Sequence, residues 1–209
     1  MPQPGPSRQR AYRMQARQQG MEATRQRITE ATVSLHQQVG PAATTVSAIA
    51  DTAGVTRATV YRHFPSKEDL VAACSAHWRS RHPAPDIAAW KAVRDPRERL
   101  YVALVETYTW FEAAGPMLSM VMRDLNQMPP FVAKAIGADL QSRVETVSRG
   151  LGATSSSSRR RMRAVVTHAL SVTTWQSLCE GGRLSNSDAA AAMAAAILET
   201  VPSGAVQPT

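Results

Sequence analysis

The stretch TTVSAIADTAGVTRATVYRHFPSKEDLVAA, from Thr44 to Ala73, decides the fold of this chain. Its apolar residues follow helical spacing up to Gly54, a residue that tolerates the tight or left-handed backbone of a turn. The side-chain oxygens of Thr45 and Thr56 can cap the helices that begin after them. Phe64-Pro65 then breaks the pattern. The spacing therefore predicts two short helices joined at Gly54, which is a helix-turn-helix.

The second of these helices carries more polar side chains than a core helix would. With its apolar residues turned inward, the outward face combines the groups that a recognition helix needs in the major groove of DNA. Arg57 can donate two hydrogen bonds to guanine, and Ala58 and Thr59 can meet a thymine methyl group. Other polar groups on this face can reach phosphates, which fix the register without reading sequence. The predicted DNA contacts are Thr45, Thr56, Arg57, Ala58, Thr59, Tyr61, Arg62, His63 and Lys67.

The stretch resembles the DNA-binding domain of the TetR family of bacterial transcriptional regulators. The matching features are the Ala-Gly-Val turn, the Thr-x-x-Thr-Val-Tyr-x-His-Phe helix and the Ser-Lys-Glu-Asp-Leu start of the next helix, and the match covers about residues 22–79. Arg62 occupies a variable position of the pattern. The resemblance implies a phosphate contact by Thr45, contacts with bases or nearby phosphates by Arg57 and Thr59, and a backbone clamp by Tyr61, His63 and Lys67.

The charge distribution agrees with a nucleic-acid partner at the N-terminal end. The 209 residues carry a net charge of +8, and residues 1–67 hold nine basic groups against three acidic ones, which is six of those eight charges. A basic excess of this kind favours a polyanion. No run of about 18 apolar residues and no apolar signal segment occurs, so we expect a cytoplasmic protein without membrane contact.

Proline, glycine and serine clusters divide the chain into four parts. We expect an all-α protein of about nine helices, with an N-terminal three-helix helix-turn-helix domain and a C-terminal helical ligand-binding and dimerisation domain. The predicted segments are a flexible basic arm (1–20), the DNA-binding domain with its connecting fourth helix (21–79), an effector-binding and dimerisation domain (80–201) and a disordered tail (202–209).

The last two long helices, at about 159–180 and 188–201, are the predicted homodimer interface. The first is apolar on two sides and the second is rich in alanine, so one side of the pair can face a partner subunit. The family resemblance also implies a dimer through these helices. The alternative is a monomer in which both helices pack internally.

Large aromatic and sulfur-containing side chains crowd the middle of the chain, and they can line an apolar pocket or simply fill a core. The family resemblance implies a ligand-sensing pocket between these helices, taking a small lipophilic or aromatic effector. The candidate ligand contacts are Tyr108, Trp110, Phe111, Met117, Met120, Phe131, His168 and Trp175.

Together these features predict a ligand-responsive transcriptional regulator, most simply a dimeric repressor released from a pseudo-palindromic operator by its effector. The alternative is a constitutive or architectural DNA-binding protein without a small-molecule effector. We do not expect an enzyme, because the sequence contains no nucleophile elbow, Gly-rich phosphate loop, HExxH motif or Cys/His metal spacing. No cofactor and no metal ion are predicted.

Overall fold

The computed structural model confirms an all-α fold. It describes the backbone of residues 6–201, with the side chains of residue 10 and residues 12–201, and no strand occurs among them. The eleven α-helices in this part of the chain are α1 (Pro6–Gln38), α2 (Val46–Ala53), α3 (Arg57–His63), α4 (Lys67–Arg81), α5 (Ile87–Ala92), α6 (Pro96–Ala114), α7 (Pro116–Asp124), α8 (Pro130–Ser148), α9 (Ser156–Ala169), α10 (Val172–Trp175) and α11 (Asn186–Glu199).

The chain divides into two compact units between Arg81 and His82. The first unit contains α1 to α4, whose inward faces meet in a small apolar core. Ile28 of α1, Ile49 of α2 and Val60 of α3 are almost fully buried in it. Removing such side chains from water is the main force that holds short helices together.

The second unit contains α5 to α11 and has a larger core built around α6. Leu100, Leu104 and Tyr108 lie four residues apart on one face of α6, and none of them is exposed. Helices α8 and α11 pack against α6, with Ile197 of α11 fully buried, and the Tyr108 hydroxyl donates to the carbonyl of Ala169 in α9 at 2.9 Å. The unit is therefore a helical domain in which α6 is central.

Helix α1 is longer than the sequence predicted. The arm over residues 1–20 was expected to be flexible, but α1 begins at Pro6, so the backbone of residues 6–20 is helical. This segment is rich in Arg and Gln and also contains Ala and Met, all of which are good helix formers. A helix already nucleated by the packing around Ile28 gains residues at its end with little further cost. The first five residues of the arm, and the tail predicted at 202–209, lie outside the described residues.

The sequence predicted one continuous helix at 159–180 as the first half of the dimer interface. In the structure this helix is interrupted. Helix α9 ends at Ala169, and the hydroxyls of Ser171 and Thr174 donate to the carbonyl of His168, at 2.7 Å and 2.6 Å. Side chains of this type compete with the backbone for helical hydrogen bonds. The chain restarts as α10 and then widens into a π-helical turn, Gln176–Gly181.

Helix α5 follows Pro83 and Pro85 closely, and the sequence analysis did not single it out as a separate helix. Its first turn is capped by Asp86, whose carboxylate accepts a hydrogen bond from the Ala88 amide at 2.8 Å. Trp90 is only 1% exposed, and its indole Nε1 donates to Glu106 of α6 at 2.5 Å. Tertiary burial of one tryptophan therefore stabilises a helix that is too short to be stable alone.

Candidate functional site

The turn between α2 and α3 has the geometry that its glycine allows. Gly54 has φ 64° and ψ 41°, in the left-handed region. The Gly54 amide donates to the Asp51 carbonyl at 3.2 Å, and the Val55 amide donates to the Ala50 carbonyl at 3.0 Å. These two bonds form a Schellman motif, which ends α2 and fixes the direction in which the chain enters α3.

Both threonines predicted as helix caps have that role. The Thr45 hydroxyl accepts from the Ala48 amide at 3.1 Å, and the Thr56 hydroxyl accepts from the Thr59 amide at 3.2 Å. The Thr56 and Thr59 hydroxyls also lie 3.0 Å apart, within hydrogen-bonding distance. A hydroxyl that accepts one bond keeps its hydrogen for donation, so the cap at Thr45 leaves it able to donate to a phosphate.

Helix α3 presents its polar face to the surface. Val60 is 1% exposed and, with Phe64 just beyond the helix, points into the core, whereas Tyr61 is 50% exposed. Arg57, Ala58 and Arg62 are also exposed, and Thr59 and His63 are half-buried. All nine predicted DNA contacts lie in the first unit, and none of them is buried: Thr45, Thr56, Arg57, Ala58, Thr59, Tyr61, Arg62, His63 and Lys67.

Arg25 of α1 holds the end of α3, a role that the sequence did not suggest. Its Nη1 donates to the backbone carbonyl of His63 at 2.6 Å, where α3 ends with unpaired carbonyls. Its guanidinium also lies 4.1 Å from the centre of the Phe64 ring, in a cation–π contact. In the sequence Arg25 was only one basic residue among several, because no short-range pattern links it to a position 38 residues away.

His63 sits in a surrounding that disfavours its charged form. Partial burial, followed by the positive charges of Arg62 and Arg25, lowers the pKa of His63 below its ordinary value of 6.5, and Glu22 opposes the shift. The imidazole is therefore neutral near pH 7 in the free protein. A phosphate placed beside it would add the negative charge that this surrounding lacks and would raise the pKa.

The N-terminal part of α1 carries an exposed basic face. Arg10, Arg13 and Arg17 are spaced so that one side of the helix holds all three, and all are exposed. Because a helix rises 1.5 Å per residue, Arg10 lies roughly 22 Å along α1 from Arg25, beyond the contact with α3. This basic face extends the positive surface of the first unit past its recognition helix.

The second unit contains a cleft with a cavity volume of about 580 Å³. It opens between the end of α6, the start of α7, the π-helical turn and the start of α11. Its lining residues are Glu112, Gly115, Pro116, Ser119, Met120, Trp175, Gln176, Cys179, Glu180, Leu184, Ser185 and Asn186.

The structure brings only part of the predicted ligand set to this cleft. Met120 and Trp175 line it. Tyr108, Phe111 and Met117 are buried, and Phe111 stands 6.2 Å from the Trp175 ring, so it backs the cleft wall. The remaining predicted ligand residues do not line the cleft: Trp110 is half-buried, and Phe131 and His168 are exposed.

Residues 6–201 contain neither a metal-binding cluster nor a membrane-spanning helix. No group of three or more His, Cys, Asp or Glu side chains among them could hold a metal ion. None of the helices described there is long and apolar enough to cross a membrane. Both cysteines are free thiols, and burial raises the pKa of Cys74 to about 12.

Comparison with known proteins identifies the first unit. Residues 28–74 match the family model described as "Bacterial regulatory proteins, tetR family". This is a TetR-family DNA-binding domain. The match runs from the buried part of α1 into α4 and so includes the whole helix-turn-helix. No curated protein matches the chain in sequence.

Solved structures resemble the chain over most of its length. A tetR-family transcriptional regulator from Streptomyces coelicolor superposes with a TM-score of 0.58 at 19% identity, covering 86% of this chain and 80% of that one. NalD of Pseudomonas aeruginosa, the secondary repressor of the MexAB-OprM multidrug efflux pump, gives 0.59 at 17% identity, covering 89% and 99%. A putative fatty acid metabolism regulator of Clostridium perfringens gives 0.54 at 19% identity, covering 84% and 98%.

Identities this low establish the fold alone, and the helical second unit belongs to the same fold as these regulators. The match over residues 28–74 supports a DNA-binding role in transcriptional regulation for the first unit. The individual DNA contacts of α3 and the ligand contacts in the second unit stay predictions, which the geometry makes testable.

Proposed function

We propose that this TetR-family regulator is a dimeric repressor that leaves a pseudo-palindromic operator when a small lipophilic or aromatic effector binds its second unit. The observation that carries the proposal is the outward face of α3, which is exposed, polar and held at both ends. The Schellman turn and the Thr56 cap fix its start, and Arg25 fixes its end. A surface prepared in this way loses little freedom on binding.

On DNA, α3 occupies the major groove. Arg57 at its first turn donates to guanine, and the exposed Tyr61 and the half-buried His63 contact phosphates on its flank. The basic face of α1 lies against phosphates outside the groove that α3 reads, and it adds affinity without sequence preference. Lys67 begins α4, where the backbone amides of a helix N-terminus also favour a phosphate.

Dimerisation supplies the second recognition helix, since one short helix reads too few base pairs for a unique operator. Helix α11 supports this, because its buried side packs on α6 while Ala191, Ala192, Ala195 and Ala196 form an exposed face of small apolar groups. Such a face lets a partner helix approach closely. The interrupted segment from α9 through the π-helical turn, with α11, forms the proposed homodimer contact.

The cleft of the second unit is the proposed effector site, and α4 is the proposed lever, since it ends at the boundary between the two units. An effector releases the operator only if it has a higher affinity for the dimer conformation that cannot bind DNA than for the conformation that binds DNA. Fold likeness to NalD, which is described as a repressor, supports repression as the direction of control. A bacterial regulator of this kind meets its DNA in the cytoplasm, and no catalysis is part of the proposal.

The test is selection of bound sequences from a random duplex library by the purified full chain. The proposal predicts a two-fold symmetric motif, with half-sites about one helical turn apart, and a dimeric mass in solution. A bound pool without a motif, whose affinity collapses as salt rises, would instead favour the architectural alternative. Screening small molecules by thermal shift then separates an effector-responsive protein from a constitutive one, because a ligand of the folded state raises its melting temperature.

A further inference from the structure

We infer that the cleft of the second unit binds lipophilic cations, with Glu112 and Glu180 supplying the counter-charge and Trp175 an aromatic wall. This inference rests on the proposed function only in taking the cleft as the effector site. It narrows the effector from lipophilic compounds in general to those with a permanent or protonated positive charge.

The charges of the cleft have a single sign. Glu112 and Glu180 contribute carboxylates to its lining, and no Lys, Arg or His is among the lining residues that the structure describes. The two carboxylates also act on a group that lines the cleft. Burial, followed by these two negative charges, raises the pKa of the Cys179 thiol. Since the chain as a whole is positive, the cleft is a local exception that a cation can recognise.

One carboxylate is held in place before any ligand arrives. The indole Nε1 of Trp175 donates to Asn186 Oδ1 at 3.0 Å, and Asn186 Nδ2 donates to Glu112 Oε2 at 2.7 Å. These two hydrogen bonds connect α10, α11 and α6 around the cleft and occupy one oxygen of Glu112. The second oxygen is left for a ligand, and the side chain has already lost its rotational freedom, which favours binding.

The remaining walls suit an apolar, polarisable ligand. Trp175 lines the cleft with the 7% of its surface that stays exposed, and Phe111 packs next to it at 6.2 Å between ring centres. Tryptophan is the aromatic side chain that attracts cations most strongly, and Met120, which also lines the cleft, adapts to irregular shapes.

The backbone at the cleft points to function independently of the charges. Gln176, Cys179 and Glu180 lie on the π-helical turn, and this turn projects them into the cleft. Gln176 Nε2 donates to Ser119 Oγ of α7 at 3.0 Å, so the turn is anchored across the cleft. Turns of this type are rare and occur frequently at functional sites.

Tetraphenylphosphonium and tetraphenylborate provide the test, because they have nearly the same size and shape but opposite charge. Calorimetric titration of the full-length protein is expected to show binding of the cation. The paired change Glu112→Gln with Glu180→Gln is expected to weaken that binding about tenfold, since each partly exposed charge contributes modestly. Glutamine at position 112 can still accept from Asn186, so the wall is preserved. Glu98→Gln, which changes an exposed carboxylate at the start of α6 and outside the cleft, is the matched control and leaves binding unchanged.

The outcomes separate this inference from the proposed function. The cationic site is overturned if the paired variant binds the cation within about twofold of the original affinity. It is also overturned if the paired variant loses affinity equally for both probes. If the cation binds through the two carboxylates but leaves operator affinity unchanged, the cationic site is supported. The proposed release of the operator by such a ligand is then wrong. Release of the operator by a neutral compound, unaffected by the two substitutions, supports an effector response and overturns this assignment of the effector.

Discussion

Replacing Arg25 by methionine tests how the recognition helix is held. Methionine keeps an unbranched apolar stem but removes the guanidinium that donates to the His63 carbonyl and covers the Phe64 ring. A hydrogen bond to a charged group contributes about 1.5 to 3 kcal/mol, and an exposed cation–π contact contributes about 0.5 to 1 kcal/mol. Because Arg25 is half-buried and water replaces part of its interactions, we expect a net loss of about 2 kcal/mol from the first unit.

The assay has a global and a local part. Urea unfolding followed by circular dichroism gives the free energy of unfolding, with the two units treated as separate transitions where they do not unfold together. Amide hydrogen exchange over residues 57–64 reports the opening of α3 itself. Arg27→Met is the matched control, since Arg27 lies on the same helix and is exposed.

The expected result is a loss of stability and faster exchange in α3 for Arg25→Met, with little change for Arg27→Met. Equal effects of the two substitutions would refute the reasoning, because Arg25 would then act only as one surface charge among others. Destabilisation without faster exchange in α3 would show that Arg25 supports α1 and not the end of the recognition helix.

Three further predictions concern the turn, the pH dependence and the basic face of α1. Gly54→Ala is expected to cost about 1 kcal/mol in urea unfolding, because a Cβ at φ 64° is strained although nothing lies within 4 Å of it; a neutral effect would contradict the left-handed turn. Operator affinity is expected to rise as the pH falls through about 6.5, because phosphate raises the lowered pKa of His63 and binding takes up a proton. A pH dependence that persists in His63→Gln would assign it to another group. Replacing Arg10, Arg13 and Arg17 of the basic face by glutamine is expected to reduce the slope of log affinity against log salt by about two to three. An unchanged slope would place these three residues away from DNA.

The fold of the first unit could be predicted because its signals are local. Gly54, the two threonine caps and the Phe64-Pro65 break each act within a few residues, so their meaning can be read without knowing the packing. The length of α1 could not be predicted in this way. Its N-terminal half has no apolar face, and only the packing of its other half makes the extension helical.

The cleft was harder to predict, because its walls come from helices far apart in the sequence. Tyr108 and Trp175 look alike in a list of large side chains, and both are buried in the core of the second unit, yet only Trp175 also lines the cleft. Glu180 reaches the cleft because of the π-helical turn, which no residue pattern announced. The same limit applies to Arg25, whose partners depend on how α1 crosses the end of α3.

The central claim is that α3 reads bases, and Arg57 tests it most directly. The measurement is the dissociation constant of the original protein and of Arg57→Ala, each for the selected operator and for a scrambled duplex of equal length at one salt concentration. The account predicts a loss of about 1 to 3 kcal/mol on the operator and a much smaller loss on the scrambled duplex. An equal loss on both duplexes, or no loss on either, would contradict it.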